Sequence, residues 1–304
     1  MDYTDRSLPG NHPLDVSAIV VNFNSGEILS ACVSALASAG ASEVIVVDNS
    51  SNDGSLEFCE NQLGRELTSK LMFLRNKANL GYGTAMNIGV RSAKSKYIAI
   101  CNPDCIPAPD ALQYLVAYLQ NHPEVGIVGP QIYDEKGVRY PSPRRFPSLF
   151  VSAIHATWGV LFPKNKFSKY YRSVDSEFPN RNMWISGAFM FITRDLFHEI
   201  GGFDERYFMF LEDVDLCQRV IRKSLDVGFE PKATVEHRQG TSSRARPFFV
   251  CWVHHRSLWI YSTVTLLGVK RFFLPLVGLG ILVRFGLSTL QITIKKALSR
   301  VSSN

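Results

Sequence analysis

Four short apolar runs, rich in β-branched side chains, divide the first third of the chain, and each ends abruptly in amides, carboxylates or glycine. Residues 15–23 give way to Asn24-Ser25-Gly26, and residues 43–47 to Asp48-Asn49-Ser50-Ser51-Asn52-Asp53-Gly54. Residues 70–75 lead into Asn76-Lys77-Ala78-Asn79-Leu80-Gly81-Tyr82-Gly83, and the run that starts at Lys96 closes on Asn102-Pro103-Asp104-Cys105. A run that is apolar at successive positions must be covered on both faces, as a buried parallel strand is. Residues 27–38, the stretch after Ser55, the stretch that ends near Ala93 and residues 109–121 have helical character, and a fifth run follows at 125–129. Strands alternating with helices predict an α/β chain: a mostly parallel, Rossmann-like, doubly wound sheet flanked by helices.

Open sheets of this kind hold their ligands beyond the carboxyl ends of the strands. Asp104 occupies such a position, because Pro103 has no N–H for the ladder and turns Asn102 out of helical geometry. Read alone, Asn-Pro-Asp is an ordinary turn; its place in the strand order gives it meaning. Gly81 and Gly83 open the third strand-to-helix turn, where a backbone without Cβ lets a ligand approach closely.

Beyond residue 130 the alternation weakens. Pro141, Pro143, Pro147, Pro163 and Pro179 punctuate a segment that also holds Arg144, Arg145, Trp158, Tyr170 and Tyr171. A connection of that length predicts a substrate loop or lid. Residues 184–193 return to strand character around Gly187, and residues 208–219 open a helix with Glu212, Asp213 and Asp215 in its first turn. Carboxylates there complement the helix dipole whatever else they do. Residues 230–236 form a last strand that delivers His237.

Charge divides the chain differently. Beyond His237 there are ten of the 33 basic residues and none of the 27 acidic ones, so the net +6 belongs to this tail. Two apolar stretches, 257–269 and 272–283, are separated by Lys270-Arg271, and Pro275, Gly278 and Gly280 weaken the second as a simple helix. The favoured reading is a pair of helices lying in the interface of an anionic membrane. One span running from 272 to 294 across Arg284, a hairpin packed on the rest of the chain, and a homo-oligomer interface remain open. Six cysteines without CxxC spacing point to reduced thiols in a cytoplasmic protein, and residues 1–14 to a flexible start without a secretory signal. The expected divisions are 15–130 and 131–243, the halves of one catalytic domain, and a 244–304 tail.

Asp48, Asn79-Leu80-Gly81-Tyr82-Gly83, Asn102-Pro103-Asp104, Ser186-Gly187-Ala188, Glu212-Asp213 and His237, in that order, resemble the inverting glycosyltransferases of family 2, with the GT-A fold. The likeness covers residues 15–243. The Asn-Pro-Asp variant, the run 210–216 and His237-Arg238-Gln239-Gly240-Thr241-Ser242 are most similar to the rhamnosyltransferase branch, which builds bacterial polysaccharide such as O-antigen on a lipid carrier. The resemblance implies a nucleotide-sugar donor, dTDP-L-rhamnose first among them, and a polyprenyl-diphosphate-linked sugar as acceptor. It implies a Mg²⁺ or Mn²⁺ cofactor held by Asp104 and His237, since a diphosphate leaving group gathers charge that a hard cation neutralises. Donor contacts fall by resemblance on Val21, Asn22, Asp48, Asn79, Gly81, Asn87, Asn102, Asp104 and Gly187. Asp213 matches the general base, with Glu212 beside it to hold the acceptor or to tune Asp213 by like charge. A lipid-linked acceptor would place the enzyme peripherally on the inner face of the cell membrane.

Three other readings are weaker. A UDP- or GDP-sugar would suit the same machinery. Nucleic-acid binding is disfavoured because the basic residues of the tail are separated by long apolar runs. A dinucleotide-dependent dehydrogenase lacks its GxGxxG after the first strand.

Overall fold

The computed structural model describes residues 14–63, 67, 69–146, 182–238 and 246–301. The expected flexible start (1–13), most of the expected lid with Trp158, Tyr170 and Tyr171, and residues 239–245 lie outside the described residues.

The four apolar runs form β1 (Leu14–Asn22), β2 (Ala41–Asp48), β3 (Leu71–Arg75) and β4 (Tyr97–Cys101). Between them lie α1 (Ile28–Ser38), α2 (Ser55–Gln62) and α3 (Tyr82–Ser92). β1 pairs in parallel with β2 and β4, and β2 with β3. The continuous apolar character of these strands follows from their two covered faces. In β1, Val16, Ala18 and Val20 point to a core under α1, while Ile19 and Val21 point to a second core under α3. β4 divides the same way, Ala99 and Cys101 against Ile98 and Ile100. Each such side chain contributes roughly 1.5–3 kcal/mol on burial, so a one-residue slip in register would be prohibitive.

The later elements are β5 (Cys105–Pro107), α4 (Ala111–Asn121), β6 (Val125–Asp134), β7 (Arg139–Tyr140), β8 (Arg144–Arg145) and β9 (Met183–Trp184). β10 (Phe189–Thr193), α5 (Arg194–Glu199), α6 (Glu212–Arg222) and β11 (Asp226–His237) complete the main body. The large sheet runs β3-β2-β1-β4-β10-β6-β11-β5, with β7 on β6.

Two departures from simple alternation build the site. β10 enters antiparallel between β4 and β6, so Phe189 at its start pairs with Cys101 at the end of β4. Asn102 N–H then donates to Ala188 C=O at 2.9 Å, which brings Gly187 beside Asn102-Pro103-Asp104. β5, too short to read in the sequence, pairs antiparallel with β11 and sets His237 opposite Cys105. β11 also pairs with β6, with a register break between Glu230 and Thr234 where Pro231 has no N–H to give.

The tail forms α7 (Pro247–Thr265), a short 3₁₀ turn (Gly268–Phe273) containing Lys270-Arg271, and α8 (Leu274–Val301). α8 corrects the expectation for Pro275, Gly278 and Gly280. Pro275 falls in the first turn, where its missing N–H has no intrahelical partner to lose. Gly278 faces the Trp259 ring, and a Cβ there would come within 3.1 Å of it. α7 docks on the main body, with Cys251, Val253, Ser257 and Tyr261 buried. α8 packs against α7 and leaves Leu276, Leu279, Leu282, Leu287 and Leu290 exposed. Among the described residues, Gly268–Ser299 is long and apolar enough to cross a membrane, with 32 residues and an 18-residue window of mean hydropathy 1.8.

Candidate active site

A cavity of about 830 Å³ opens at the carboxyl ends of β1, β2 and β4. One side is polar, with Asn49, Asn79, Asn102, Asp104 and His237; the other is apolar, with Phe208, Met209, Phe210 and Phe249.

Asp104 Oδ1 lies 3.1 Å from His237 Nε2, with the two side chains 15% and 13% exposed. The β5–β11 ladder holds them there, and Arg238 N–H donates to Asp104 C=O at 2.9 Å. Tyr140 meets the imidazole edge-to-face at 6.1 Å between ring centres. The donor atoms of Asp104, Cys105 and His237 lie within 4.8 Å of one another. The Cys105 thiol is a poor third ligand for a hard cation: it is buried in the core, burial pushes its pKa up, and it donates to Ala188 C=O at 3.3 Å. A carboxylate and an imidazole converging on a polar wall fit a divalent cation that completes its shell with ligand oxygens.

The loops after β2 and β3 are joined by Asn49, which expectation had passed over. Its Nδ2 donates to Asn79 Oδ1 (2.9 Å) and Gly81 C=O (3.1 Å), while its Oδ1 accepts from Asn76 Nδ2 (3.1 Å) and Leu80 N–H (3.0 Å). Asn49 is 1% exposed yet lines the cavity. Its place in a dense polar loop was the available signal, but nothing in the sequence separated it from its neighbours.

Of the expected donor contacts, Val21, Asn79, Gly81, Asn102 and Asp104 line the cavity, and Asn22, Asp48, Asn87 and Gly187 do not. Asp48 Oδ1 accepts from Asn22 Nδ2 at 2.8 Å and Oδ2 from Ser51 N–H at 3.1 Å, so both oxygens brace the loop. Asn22 Nδ2 also reaches Ser55 Oγ at 2.9 Å, beneath the base of the cavity. Asn87 faces the other way: Nδ2 donates to Phe203 C=O (2.9 Å) and Oδ1 accepts from Phe203 N–H (2.8 Å), pinning α3 to the turn after α5.

The catalytic candidates lie beside the lining residues, Asp213 half-buried and Glu212 buried. Tyr82 lines the cavity and donates through its hydroxyl to Gly187 C=O at 3.1 Å. Gly187 N–H in turn donates to Asp213 Oδ2 at 2.8 Å, and Val214 N–H to Asp213 Oδ1 at 2.8 Å. A Cβ on Gly187 would come within 3.1 Å of the Asp213 side chain, which is why a glycine stands there. Burial raises the pKa of Asp213, while these two hydrogen bonds and the Arg144 guanidinium oppose the rise. Glu212, 7% exposed, is pushed up to about 8, first by burial and then by the charge of Asp213. Its Oε2 has no hydrogen-bond partner among the described residues. Burial and the like charge of Asp213 thus both favour the protonated form of Glu212. Asp215 plays a structural part, its Oδ2 accepting from Arg219 Nε at 2.7 Å.

Arg144 lies over the rings of Tyr140 and Trp184 at 5.0 and 5.2 Å, so it links the cavity wall to the carboxylate pair. In sequence it was one of several basic residues in a proline-rich stretch.

A strap, Tyr207–Leu211, precedes α6 and forms the apolar wall. Phe210 and Leu211 both adopt left-handed backbone, at φ 71° and 67°. That conformation costs a bulky residue roughly 1–2 kcal/mol, so other contacts must hold it. Tyr82 N–H donates to Phe208 C=O (2.8 Å), Ser257 Oγ to Met209 C=O (2.8 Å) and Arg256 Nη1 to Arg206 C=O (2.8 Å).

Comparison with known proteins agrees with this geometry. The family model described as glycosyl transferase family 2 matches residues 17–201, and one described as the N-terminal domain of galactosyltransferase matches 168–241. The chain is 33% identical over 230 residues to the N-acetylglucosaminyl-diphospho-decaprenol L-rhamnosyltransferase of Mycobacterium tuberculosis, covering 72% of this chain and 73% of that one. It is 27% identical over 197 residues to the rhamnosyltransferase WbbL of Escherichia coli, covering 62% and 70% respectively. Among solved structures, the mannosyltransferase PcManGT from Pyrobaculum calidifontis, in complex with GDP-Man and Mn²⁺, superposes with a TM-score of 0.58. That match has 15% identity and covers 94% of this chain and 80% of the other.

Proposed function

The chain belongs to glycosyl transferase family 2, and on that footing we propose that it transfers L-rhamnose, with inversion, to a lipid-linked saccharide. The donor is dTDP-L-rhamnose, and the acceptor is a sugar on a polyprenyl diphosphate. The named activity of the mycobacterial relative supports both the sugar and the lipid carrier. One observation of this chain carries the reading: Asp104 and His237 converge at 3.1 Å on the polar wall of a cavity lined by three asparagines.

The nucleoside and ribose lie along Val21, Asn49 and Asn79, with the backbone of Gly81 close to the phosphates. Asn102 accepts from a ribose hydroxyl without adding charge. Asp104 and His237 would hold a Mg²⁺ or Mn²⁺ ion, which when bound neutralises charge on the diphosphate. The acceptor hydroxyl oxygen attacks the anomeric carbon from the face opposite the diphosphate. The carbon–oxygen bond to the diphosphate breaks, and the nucleoside diphosphate leaves with the bonding pair. Asp213 takes the hydroxyl proton, its carboxylate aimed by the Gly187 and Val214 N–H groups. Glu212, whose protonated form is favoured beside Asp213, keeps a second negative charge out of the site.

Residues 15–243 act as the catalytic domain. The tail holds the enzyme against the cytoplasmic membrane surface, where the acceptor resides. The test is a transfer and hydrolysis screen over thymidine, uridine and guanosine diphosphate sugars, with and without Mg²⁺ or Mn²⁺. Rhamnosyl transfer from the thymidine donor, stimulated by metal and lost in Asp104→Ala, is the expected result. Full activity in EDTA, or metal stimulation that persists in Asp104→Ala, would remove the metal site.

A further inference from the structure

The apolar side of the cavity continues out of it. Phe208, on the cavity wall, meets Phe249 edge-to-face at 5.7 Å between ring centres, and Phe249 meets Trp252 at 6.1 Å with a tilt of 34°. Phe249 and Trp252 are three residues apart on α7, hence on one helix face, and are 42% and 51% exposed. The three rings make a track from the interior of the site to the surface, with no described residue laid over its outer end.

Cations lie where α7 begins, at the cavity end of the track. Arg246 lines the cavity where α7 begins, and Lys296 of α8 lies over the Phe248 ring at 4.9 Å. No acidic residue follows His237 in the sequence, so nothing on α7 or α8 neutralises these charges. An elongated apolar surface with cations at one end is complementary to a molecule with a hydrocarbon chain joined to an anionic head. The nucleotide sugar of the proposed reaction has no hydrocarbon chain to lay along such a track.

We propose that Phe208, Phe249 and Trp252, with Arg246 and Lys296, bind the first isoprene units and the diphosphate of a polyprenyl-diphosphate acceptor. This rests on the lipid-linked acceptor of the proposed function and adds the place where the lipid is read. The track belongs to the acceptor rather than to the bilayer, because it is continuous with the reaction cavity. The exposed face of α8, in contrast, is aliphatic: Leu276, Leu279, Leu282, Leu287 and Leu290.

Farnesyl diphosphate and inorganic diphosphate are the probes, titrated into the full-length protein with saturating thymidine diphosphate to fill the donor side. Farnesyl diphosphate should bind at least ~10-fold more tightly than inorganic diphosphate, as expected if one aromatic contact's worth of apolar surface is buried. Trp252→Ala and Phe249→Leu should each remove most of that difference, and Arg246→Ala should weaken both probes. Trp252 is exposed, so its variant should keep the thermal midpoint of the wild type. Equal binding of the two probes, or variants that bind farnesyl diphosphate like the wild type, would overturn the proposal. Trp252→Ala losing vesicle binding alone would assign the track to the bilayer, and losing only self-association would assign it to a second copy; either sinks the proposal. Transfer assays separate its failure from that of the parent reading. A wild type that uses polyprenyl-diphosphate acceptors while its variants fail to distinguish the probes loses the track alone, whereas a wild type that uses no such acceptor loses both.

Discussion

Asp213 and Glu212 are adjacent in sequence but stand in different electrostatic situations. Asp213 accepts two backbone N–H bonds at 2.8 Å, whereas one oxygen of Glu212 is buried with no partner among the described residues. Asp213→Asn keeps the shape and loses the base, so transfer should fall at least ~100-fold while nucleotide binding by calorimetry is unchanged. Near-normal turnover of that variant would take Asp213 out of the mechanism. Glu212 leaves a mark on stability. Its pKa rises on folding from an ordinary 4.5 to about 8, so between these values the folded state binds more protons than the unfolded one. Unfolding free energy therefore falls as pH rises through that window, and the contribution of Glu212 becomes increasingly unfavourable. Glu212→Gln should match the wild-type melting temperature near pH 4.5 and exceed it by several degrees near pH 8, followed by calorimetry across that range. A constant difference at all pH values would mean that Glu212 is ionised in the folded protein. At this scale the sequence was partly legible. Asp104 and His237 could be picked out because each ends a strand. Asn87 could not be told from a ligand contact, because an amide inside a helix shows no sign in sequence of which backbone it will bond.

Strands were the clearest elements because two-sided burial writes itself into unbroken buried runs, residues 16–22 of β1, 44–48 of β2 and 97–101 of β4. The insertion of β10 and the pairing of β5 with β11 were not legible, since both depend on contacts between residues 80 to 130 positions apart. They are what carry Gly187 and His237 to the end of β4. The strap before α6 was equally hidden, because Phe210 and Leu211 have no local preference for the left-handed backbone they adopt. Its partner is Gly81, at φ +88°, where a Cβ would come within 2.5 Å of the Phe208 carbonyl oxygen. Gly81→Ala must therefore both strain its own backbone and push the strap away, at a cost of about 2 kcal/mol or more. A lower melting temperature together with a raised KM for the acceptor is the expected result. An unchanged melting temperature would show that the strap moves freely, contrary to the three hydrogen bonds that hold it.

Across the whole molecule, charge and hydropathy are distributed so that one end can meet a membrane while the other meets a nucleotide. α7 belongs to both ends, since it buries Ser257 and Tyr261 in the main body, walls the cavity with Phe249 and supports α8. α8 packs mainly against α7 and leaves its outer leucines exposed, an arrangement that costs free energy in water and none against acyl chains. Lys295 and Lys296 near its end add attraction to anionic headgroups, of the order of 1 kcal/mol each near the surface and weakened by salt. A protein ending at Leu267 keeps all of α7 and the buried contacts of the site, so it should fold and still bind nucleotide. The full chain should co-sediment with anionic vesicles at low salt, and the truncated chain should not. Transfer to a soluble short-chain acceptor should survive in this truncated protein with a higher KM for the acceptor, because Lys296 is lost, while transfer to acceptor embedded in vesicles falls sharply. If the truncated chain sediments with vesicles as well as the full one, the membrane contact lies elsewhere, and the exposed leucines of α8 must face another protein surface.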